Sequence, residues 1–579
     1  MNVVTLGKAL GFVKQLTDSS ASTAAPVNTP PQKPAFVPSE DSSVYAVPEA
    51  EGISSDMLCD YINEIYNNKS INVQGLIVSR HGKTLLKIGF DAWDTEIWKC
   101  IFSQSKSITS IAIGMLMDDG VITPSTTVNE IFGKFIPALY KSRFKDMTLL
   151  NLLNMSSGAI FNELMCITTD NWVKGFFTTG FSFAPGEKFN YNSLNTYMLS
   201  AAVSLLTGKS MASFLDERLF KPLGITNYFW EKCPKGANRG GWGLYIKTCD
   251  LVKIGQMLMQ NGVWDGKQIL SEKYIRTATE KQMDGPEGAG DYDYGLQIWT
   301  ARGYDGFLFN GMLGQNMFCF RESGIIVAVN SGNTDIFQKN DIFPITHKYF
   351  DQNFEDSLPQ NKKGEKRLKK LTDTLSHYRP RRPKHLYERI FRKRNIDRHI
   401  EEIIGDYTVT SKDAVSLGFM PVLMQAVQNN YTKGTLGYSF GRDERGLYLI
   451  YKEADCEFKL HIGFDAPERD NVKVMGEKLL CATTGEFRYN EDDELVLKLR
   501  TDILEYPFTR RMKFIFREDK LEVVYRETPG RELLDGVNTD GVTKKMPAIF
   551  SSIVQSEGEQ IITKLGNAFE RSAYARMQN

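Results

Sequence analysis

The residues best placed to do chemistry are Ser103 and Lys106, which form an S-x-x-K spacing in the segment SQSKSITSIAIGMLMDDG. On a helix, side chains at this spacing lie on one face, one turn apart. A serine hydroxyl needs a base within hydrogen-bonding reach, and a desolvated lysine amine can lose its proton near neutral pH. At a helix start, the backbone N–H of Ser103 can also donate to a developing oxyanion. The pair therefore predicts nucleophilic acyl transfer.

Other catalytic patterns have less support. The same spacing at Ser142 and Lys145 occurs in a polar stretch with no apolar helix behind it, and we interpret it as chance. There is no H-E-x-x-H and no phosphate-binding glycine loop, and the G-x-S-x-G match at Gly437–Gly441 falls in the predicted β-rich domain and is not a nucleophile elbow. His81 falls in a predicted turn, and no acid or nucleophile partner is evident for His347. A Ser-His-Asp mechanism is therefore disfavoured, and neither a metal nor an organic cofactor is expected.

The nucleophile needs a rigid element behind it, and the residues after Ser103 predict one. Gly120 stands where a left-handed helix C-terminus is expected. Apolar residues recur between these two positions at helical spacing, at Ile108, Ile111, Ala112, Met115 and Leu116. The pattern indicates a buried amphipathic helix that begins at Ser103.

The surrounding sequence mixes strand and helix signals. Gly75–Ile88 predicts a hairpin that turns at residues 80–83. Helical and loop signals continue to about Gly262, and Tyr294–Thr300 and Ile325–Asn330 then predict strands. This order favours an α+β fold in which helices pack on an antiparallel sheet.

The length of 579 residues predicts more than one domain. We expect a flexible leader over 1–50, because 19–43 is rich in Ser, Ala, Thr and Pro, and a first domain over 51–355. A basic, proline-interrupted linker is expected over 356–400 and a β-rich domain over 401–579. Period-two alternation flanks the turn at 518–519, and further hairpins are predicted at 443–446 and 490–493. The last domain is thus predicted to be a small barrel or sandwich.

The amino-acid composition limits the classes of partner that the protein is expected to bind. Lys and Arg together number 70, as do Asp and Glu, so no global field attracts nucleic acid or an anionic membrane. Aromatic residues are sparse in the basic linker, which is interpreted as solvated chain rather than a nucleic-acid site. No apolar run is long enough to cross a bilayer, and no signal peptide is evident. Eight scattered cysteines without C-x-x-C spacing predict buried, reduced thiols. We expect a soluble, cytoplasmic protein, with its oligomeric state left open.

Three further segments with recognisable motifs follow the S-x-x-K pair along the chain. They are MTLLNLLNMSSGA (147–159), PGEKFNYNSLNTYML (185–199) and GGWGLYIKTCDLVKIGQMLMQNGVWDGKQILS (240–271). Together they resemble the serine beta-lactamase and penicillin-binding-protein superfamily, in particular its class C-like serine hydrolases of the 6-aminohexanoate-dimer hydrolase type. The resemblance covers residues 75–333.

The resemblance assigns roles to further residues. Tyr191 matches the tyrosine of the Y-x-N or Y-x-S motif, with Ser193 in its third position, and it implies a proton relay with Lys106. We expect the ammonium to lower the pKa of Tyr191 and the phenolate to raise that of Lys106. The third motif falls at 309–311, where Asn310 either orients a substrate carbonyl or is a solvated turn residue, and Gly311 lets the backbone approach the acyl group. The N–H of Met312 is the implied second oxyanion donor.

The third motif departs from the family pattern, because position 309 is Phe instead of the Lys or His that binds a carboxylate. The expected substrate is therefore a small carboxylic ester or amide, and beta-lactamase or transpeptidase activity is disfavoured. Two alternatives stay open: a penicillin-recognising or peptide-sensing module without turnover, and an interaction role of the linker and β domain. Three aromatic residues, Trp172, Phe176 and Trp242, belong either to a substrate pocket or to the core.

Overall fold

The computed structural model describes residues 32–166, 169–286, 291–334, 341–377, 386–410, 418–428, 430, 432, 434–530 and 570–578. The chain divides into two compact units. The mixed unit comprises 37–89 and 94–374, and the β unit comprises the described residues among 1–36, 90–93 and 375–579.

The mixed unit alternates helices and short strands. Its helices are α1 Ser55–Asn67, α2 Ser105–Asp118, α3 Val128–Phe132, α4 Leu149–Leu153, α5 Glu163–Cys166, α6 Trp172–Thr178, α7 Ser193–Thr207, α8 Met211–Leu215, α9 Thr248–Met259, α10 Glu272–Thr279, α11 Ile342–Phe350 and α12 Lys362–Leu375. Its strands are β1 Val73–Arg80, β2 Lys83–Gly89, β3 Lys99–Cys100, β4 Tyr228–Trp230, β5 Leu244–Ile246, β6 Val263–Trp264, β7 Lys267–Gln268, β8 Tyr292–Tyr294, β9 Trp299–Ala301, β10 Gly306–Gly311, β11 Gln315–Phe320 and β12 Ile325–Ser331.

Seven of these strands form one antiparallel sheet in the order β2-β1-β12-β11-β10-β9-β8. Strands β1, β11 and β12 are buried along their whole length, as strands covered on both faces must be. The largest apolar cluster joins the sheet to α2, α7 and α9. The predicted α+β fold of beta-lactamase type is thus confirmed.

Of the predictions for individual strands in the mixed unit, two are confirmed and one is wrong. The first hairpin turns at His81 and Gly82, both at positive φ, and β12 covers the predicted strand at Ile325–Asn330. The single strand predicted over Tyr294–Thr300 is wrong, because β8 and β9 reverse there through a tight turn with Gln297 at φ +64°. Alternating apolar residues do not distinguish one strand from a hairpin of two short ones.

The β unit consists almost entirely of strands. Its elements are α13 Leu386–Ile403, β13 Gly405–Val409, α14 Val422–Gln428, β14 Thr435–Asp443, β15 Gly446–Glu453, β16 Glu457–His461, β17 Glu468–Val474, β18 Glu477–Tyr489, β19 Leu495–Ile503, β20 Phe508–Arg517, β21 Lys520–Thr528 and β22 Glu570–Met577. The three hairpins predicted at 443–446, 490–493 and 518–519 are present between β14 and β15, β18 and β19, and β20 and β21.

These ten strands form one antiparallel sheet in the order β16-β15-β14-β13-β22-β21-β20-β19-β18-β17. The sheet curls so that its two ends meet: the His461 N–H at the end of β16 donates to Asp470 in β17 at 2.7 Å. Gly463, just after β16, makes a bridge to Thr484 of β18. The predicted β-rich domain is therefore a nearly closed barrel, one of the two forms expected from the sequence.

Two segments expected to be irregular contain structure. Residues 1–31 of the predicted leader lie outside the described residues, but Lys33 is fully buried in the β unit and pairs with Glu505 at 2.8 Å. The backbone of Val44–Ala46 bonds to Thr84 on β2, the outer strand of the seven-stranded sheet. The segment predicted as linker holds most of α13 and all of α12, while its proline-rich part, 378–385, lies outside the described residues.

All eight cysteines are free thiols and seven are buried, as predicted. Within the part of the chain that the structure describes, no single helix has both the length and the apolar character needed to cross a membrane.

Candidate active site

Ser103 lies in a single 3₁₀ turn, Phe102–Gln104, that joins β3 to α2. Phe102 has φ +46°, a left-handed conformation that costs a residue with a side chain about 1–2 kcal/mol. The chain therefore turns just before the serine, and Ser103 is half-buried. The α-helix proper begins at Ser105, two residues later than the sequence predicts.

Lys106 is only 1% exposed, and its amine has two described partners. The Nζ atom lies 2.9 Å from Ser103 Oγ and donates to the Gly241 carbonyl at 2.8 Å. Burial disfavours the ammonium form and lowers the pKa of Lys106 to about 7, against a smaller opposing effect of the Glu163 carboxylate. Near neutral pH much of this amine is therefore unprotonated and able to accept a proton.

Helix α2 is buried on all sides, not on one face as the sequence predicts. Its polar residues are matched by carbonyls of distant loops: Ser107 donates to Gln297 at 2.9 Å and Thr109 to Gly240 at 3.0 Å. These bonds satisfy polar groups that are costly to bury unpaired. They also fix the rotation of the helix, and with it the position of Lys106.

Tyr191 lies directly before α7 and is held on both sides. Asn192 caps α7 by accepting from Leu194 N–H at 2.9 Å, and the Tyr191 ring packs against Tyr294 and Trp299 of the β8–β9 hairpin at 6.2 and 6.0 Å. The Ser103 side chain is near enough to the Tyr191 hydroxyl to lower its pKa, against the larger and opposite effect of burial. The Lys106 Nζ atom is 4.8 Å from the centre of the phenol ring. The three residues predicted as catalytic are thus brought together.

The protonation expected for this pair is wrong. Burial raises the pKa of Tyr191 above its usual value, while that of Lys106 falls. Desolvation penalises each charged form, and it outweighs the mutual stabilisation expected between an ammonium and a phenolate. The resting pair is therefore a neutral amine beside a neutral phenol.

The predicted third motif lies beside the nucleophile turn. Gln104 donates through Nε2 to the Phe309 carbonyl at 3.2 Å, and a Cβ added to Gly311 would lie 2.5 Å from the carbonyl oxygen of Ile101. Asn310 is the next-to-last residue of β10 and accepts a hydrogen bond from Asn316 at 2.8 Å. Met312 begins the following turn, and its role as an oxyanion donor stays a prediction.

Ser193 starts α7 with its side chain nearly buried, and its N–H donates to Glu163 at 3.1 Å. Its predicted contact with substrate is untested by these bonds. A Cβ on Gly241 would lie 2.7 Å from the Ser193 carbonyl, so the glycine allows the two segments to approach closely. Gly241 and Glu163 are site residues that sequence reasoning missed, although the Gly-Gly pair at 240–241 is a visible signal for the first.

The three aromatic candidates belong mainly to the core. Phe176 is fully buried and Trp172 is 4% exposed. Trp242 is partly buried and stacks on Trp172 with ring centres 5.6 Å apart.

The two histidines considered in the sequence have other surroundings. His347 shares a 2.7 Å hydrogen bond with Tyr292, and His81 occupies its predicted turn.

Comparisons with known proteins agree with this geometry. Residues 65–337 match the family model described as Beta-lactamase. The chain is 24% identical over 264 residues to the 6-aminohexanoate-dimer hydrolase of Paenarthrobacter ureafaciens, which covers 40% of this chain and 65% of that protein. The chain thus spans slightly less than two thirds of this relative's length.

Two solved structures are similar to part of this chain. One is a Bacillus anthracis protein provisionally described as a 6-aminohexanoate-dimer hydrolase, with 17% identity, a TM-score of 0.45, and coverage of 58% of this chain and 92% of the other. The second is the D-amino acid amidase of Ochrobactrum anthropi SV3 complexed with L-phenylalanine amide, with 16% identity, a TM-score of 0.41, and coverage of 51% and 96%.

Proposed function

We propose that the protein is a serine hydrolase that forms a covalent acyl-enzyme on Ser103, supported by the match of residues 65–337 to the family model described as Beta-lactamase. The observation that carries the proposal is the 2.9 Å separation of Ser103 Oγ from a buried amine whose pKa is about 7. A base with a pKa close to the working pH is efficient at removing a proton.

In the first step the Ser103 oxygen attacks the carbonyl carbon of the substrate while its proton passes to the unprotonated Lys106 amine. The negative charge that develops on the carbonyl oxygen is stabilised by backbone N–H groups, for which Ser103 and Met312 are the candidates. Collapse of this intermediate breaks the bond to the leaving group. The phenol of Tyr191 supplies the proton that a leaving amine or alkoxide needs, and the Lys106 ammonium returns a proton to Tyr191.

In the second step water replaces the leaving group. Tyr191 and Lys106, acting in the reverse direction, remove a proton from a water that attacks the acyl carbon, and the released Ser103 oxygen is reprotonated. The acid product leaves and the resting state is restored. Proton transfers of this kind contribute about 10²- to 10⁴-fold each to the rate.

The substrate class we propose is a small carboxylic ester or amide. Phe309 is fully buried in the core and cannot supply the cation that would bind the carboxylate of a beta-lactam or a peptide terminus. One similar protein is described as a 6-aminohexanoate-dimer hydrolase and another as a D-amino acid amidase, and both descriptions are consistent with this class.

A fluorophosphonate probe tests the nucleophile. Wild-type protein should gain the mass of one probe phosphonyl group, and Ser103→Ala should gain none, as read by intact mass spectrometry. Ser142→Ala is the matched control, because Ser142 belongs to the second S-x-x-K spacing and is exposed. Equal labelling of wild type and Ser103→Ala would reject the proposal, and an unlabelled but folded wild type would favour a sensing module without turnover.

A further inference from the structure

We propose that residues 133–145 form a docking surface for a membrane that contains anionic lipids. This segment lies between α3 and α4 and contains a 3₁₀ turn over Ala138–Phe144. The proposal goes beyond the proposed hydrolase activity, because it involves no residue of the active site. It is carried by two exposed apolar side chains and four exposed cations that share this short segment.

Two large apolar side chains of the segment are exposed to solvent. Leu139 is 78% exposed, more than any other large apolar side chain among the described residues, and Phe135 is 50% exposed. The two residues are four positions apart, so their Cα atoms lie at most about 14 Å from each other. Exposed apolar side chains grouped in this way are typical of a surface that a partner covers.

The backbone that carries these side chains is fixed to the core. Ile136 and Phe144 are buried, and the Phe144 ring packs edge-on against Phe177 with ring centres 4.9 Å apart. Asn129 also donates through Nδ2 to the Lys141 carbonyl at 3.2 Å. The exposed apolar side chains therefore cannot turn inward without breaking these contacts.

The same segment is strongly basic. It contains four exposed cations and no acidic residue, which gives a formal charge of +4: Lys134, Lys141, Arg143 and Lys145. Among the described residues the first three form no ion pair, and Lys145 reaches only its neighbour Asp146, at 3.9 Å. The positive charge is therefore available to an anionic partner.

The acidic residues on either side of the segment do not cancel this charge. Glu130 is engaged at the start of α3, where its carboxylate accepts from the Thr127 N–H at 2.6 Å and hydroxyl at 2.7 Å. With Glu130 and Asp146 included, four cations and two carboxylates leave residues 130–146 at +2. The charge that is balanced over the whole chain is thus unbalanced here, and a local attraction to anions follows.

An anionic bilayer fits both properties of the segment. Apolar side chains can enter the acyl region, while long Lys and Arg side chains extend to the headgroup phosphates. Nucleic acid would also supply phosphates, but an exposed leucine offers no ring on which a base can stack. The pairing of Leu139 with cations therefore favours the surface of a membrane that contains phosphatidylserine or another acidic lipid.

Sedimentation with vesicles tests the proposal. The full chain is mixed with phosphatidylcholine vesicles that contain about 30% phosphatidylserine, or with pure phosphatidylcholine vesicles, in about 0.1 M NaCl. The measured quantity is the molar partition coefficient. We expect it to be at least about tenfold larger for the anionic vesicles, and to fall in about 0.5 M NaCl, because salt screens exposed charges.

Two variants assign the binding to this segment. Leu139→Ala removes the most exposed apolar side chain and should lower the partition coefficient about tenfold. Lys134→Ala combined with Lys141→Ala should lower it about 25-fold, at about fivefold for each cation near an anionic surface. Both variants should keep the wild-type unfolding temperature, because the substituted side chains are exposed.

The matched controls change exposed residues of the same types elsewhere. Leu436→Ala removes a leucine that is 53% exposed on β14. Lys267→Ala combined with Lys273→Ala removes the same charge from two exposed lysines on β7 and α10. These controls should bind anionic vesicles as wild type does.

Several results would overturn the proposal: equal partition into the two kinds of vesicle, no sedimentation with either at about 10 mM lipid, or binding that survives both segment variants. An equal loss of binding in the controls would do the same. Binding of single-stranded DNA without binding of vesicles, lost in the double lysine variant, would make the segment a nucleic-acid surface instead. None of these measurements involves Ser103, so the hydrolase proposal is tested separately.

Discussion

Lys106 shows how burial can prepare a base without a neighbouring charge. Its amine is 1% exposed and its described acceptors are a hydroxyl and a carbonyl, neither of which carries a formal charge to stabilise an ammonium. Desolvation therefore dominates, and the pKa falls to about 7. The same cause keeps the Tyr191 phenol protonated, which makes the lysine the acceptor and the tyrosine the donor of the pair.

The first prediction concerns pH. Below its pKa Lys106 is protonated and cannot accept the Ser103 proton, so kcat/KM for a neutral p-nitrophenyl ester should rise tenfold per pH unit and level off above about pH 7. Glu163→Gln should move this inflection to lower pH, because the carboxylate favours the ammonium. An inflection near pH 5 in wild type would contradict the assignment of Lys106 as the base.

The second prediction concerns the Tyr191 hydroxyl. Tyr191→Phe keeps the ring between Tyr294 and Trp299 but removes the proton donor. We expect a loss of about 10²- to 10⁴-fold with a p-nitroanilide, whose leaving amine needs a proton, and a smaller loss with a p-nitrophenyl ester. Tyr294→Phe is the control and should retain the wild-type ratio of the two rates. Equal losses on both substrates in Tyr191→Phe would argue against leaving-group protonation.

At the scale of elements, the site depends on loops that reach the helix start from far along the chain. Gly241 is 135 residues from Lys106 in sequence, yet its carbonyl accepts from the amine at 2.8 Å. The β8–β9 hairpin supports Tyr191 from the side, and Gln297 in its turn is bound by the Leu152 and Leu153 carbonyls at 3.0 and 2.8 Å. The catalytic geometry is therefore only as rigid as these loops.

The third prediction tests the loop at Gly241. An added Cβ would lie 2.7 Å from the Ser193 carbonyl oxygen, so Gly241→Ala must push the loop away from α7 and take its carbonyl from Lys106. We expect a loss of about 1–3 kcal/mol in unfolding free energy and at least tenfold in kcat. Gly303→Ala is the matched control, since nothing lies within 4 Å of its Cβ position. Unchanged turnover in Gly241→Ala would remove this carbonyl from the mechanism.

The sequence predicts features that depend on neighbouring residues, and it misses those that depend on contacts between residues far apart in the chain. The S-x-x-K spacing places Ser103 and Lys106 correctly because both belong to one continuous stretch of backbone. Glu163 has no such signal, since its value comes from a contact with Ser193, thirty residues away. The error over Tyr294–Thr300 has a related cause, because Gln297, which has positive φ in the turn, is held by tertiary bonds and is not itself a turn-favouring residue type.

At the scale of the whole molecule, the two units do not follow the chain in simple order. Residues 90–93 group with the β unit although mixed-unit sequence flanks them on both sides, and Asp91 pairs with Arg500 of β19 at 3.2 Å. Composition and hydropathy describe runs of residues, so they predict the β domain after residue 400 but not these earlier contributions. What the barrel contributes to hydrolysis stays a separate question from how it folds.

The backbone of residues 44–46, which pairs with the outer strand β2, affects whether the protein associates with itself. An uncovered outer strand offers unpaired N–H and C=O groups to a second molecule, a route to self-association. Here Thr84 of β2 instead donates to Val44 at 2.7 Å and accepts from Ala46 at 3.1 Å. A chain beginning at Pro48 should therefore oligomerise in light-scattering measurements, whereas chains beginning at Gln32 or Ser43 should not. If the chain that begins at Ser43 also associated, residues 44–46 would not be what prevents aggregation.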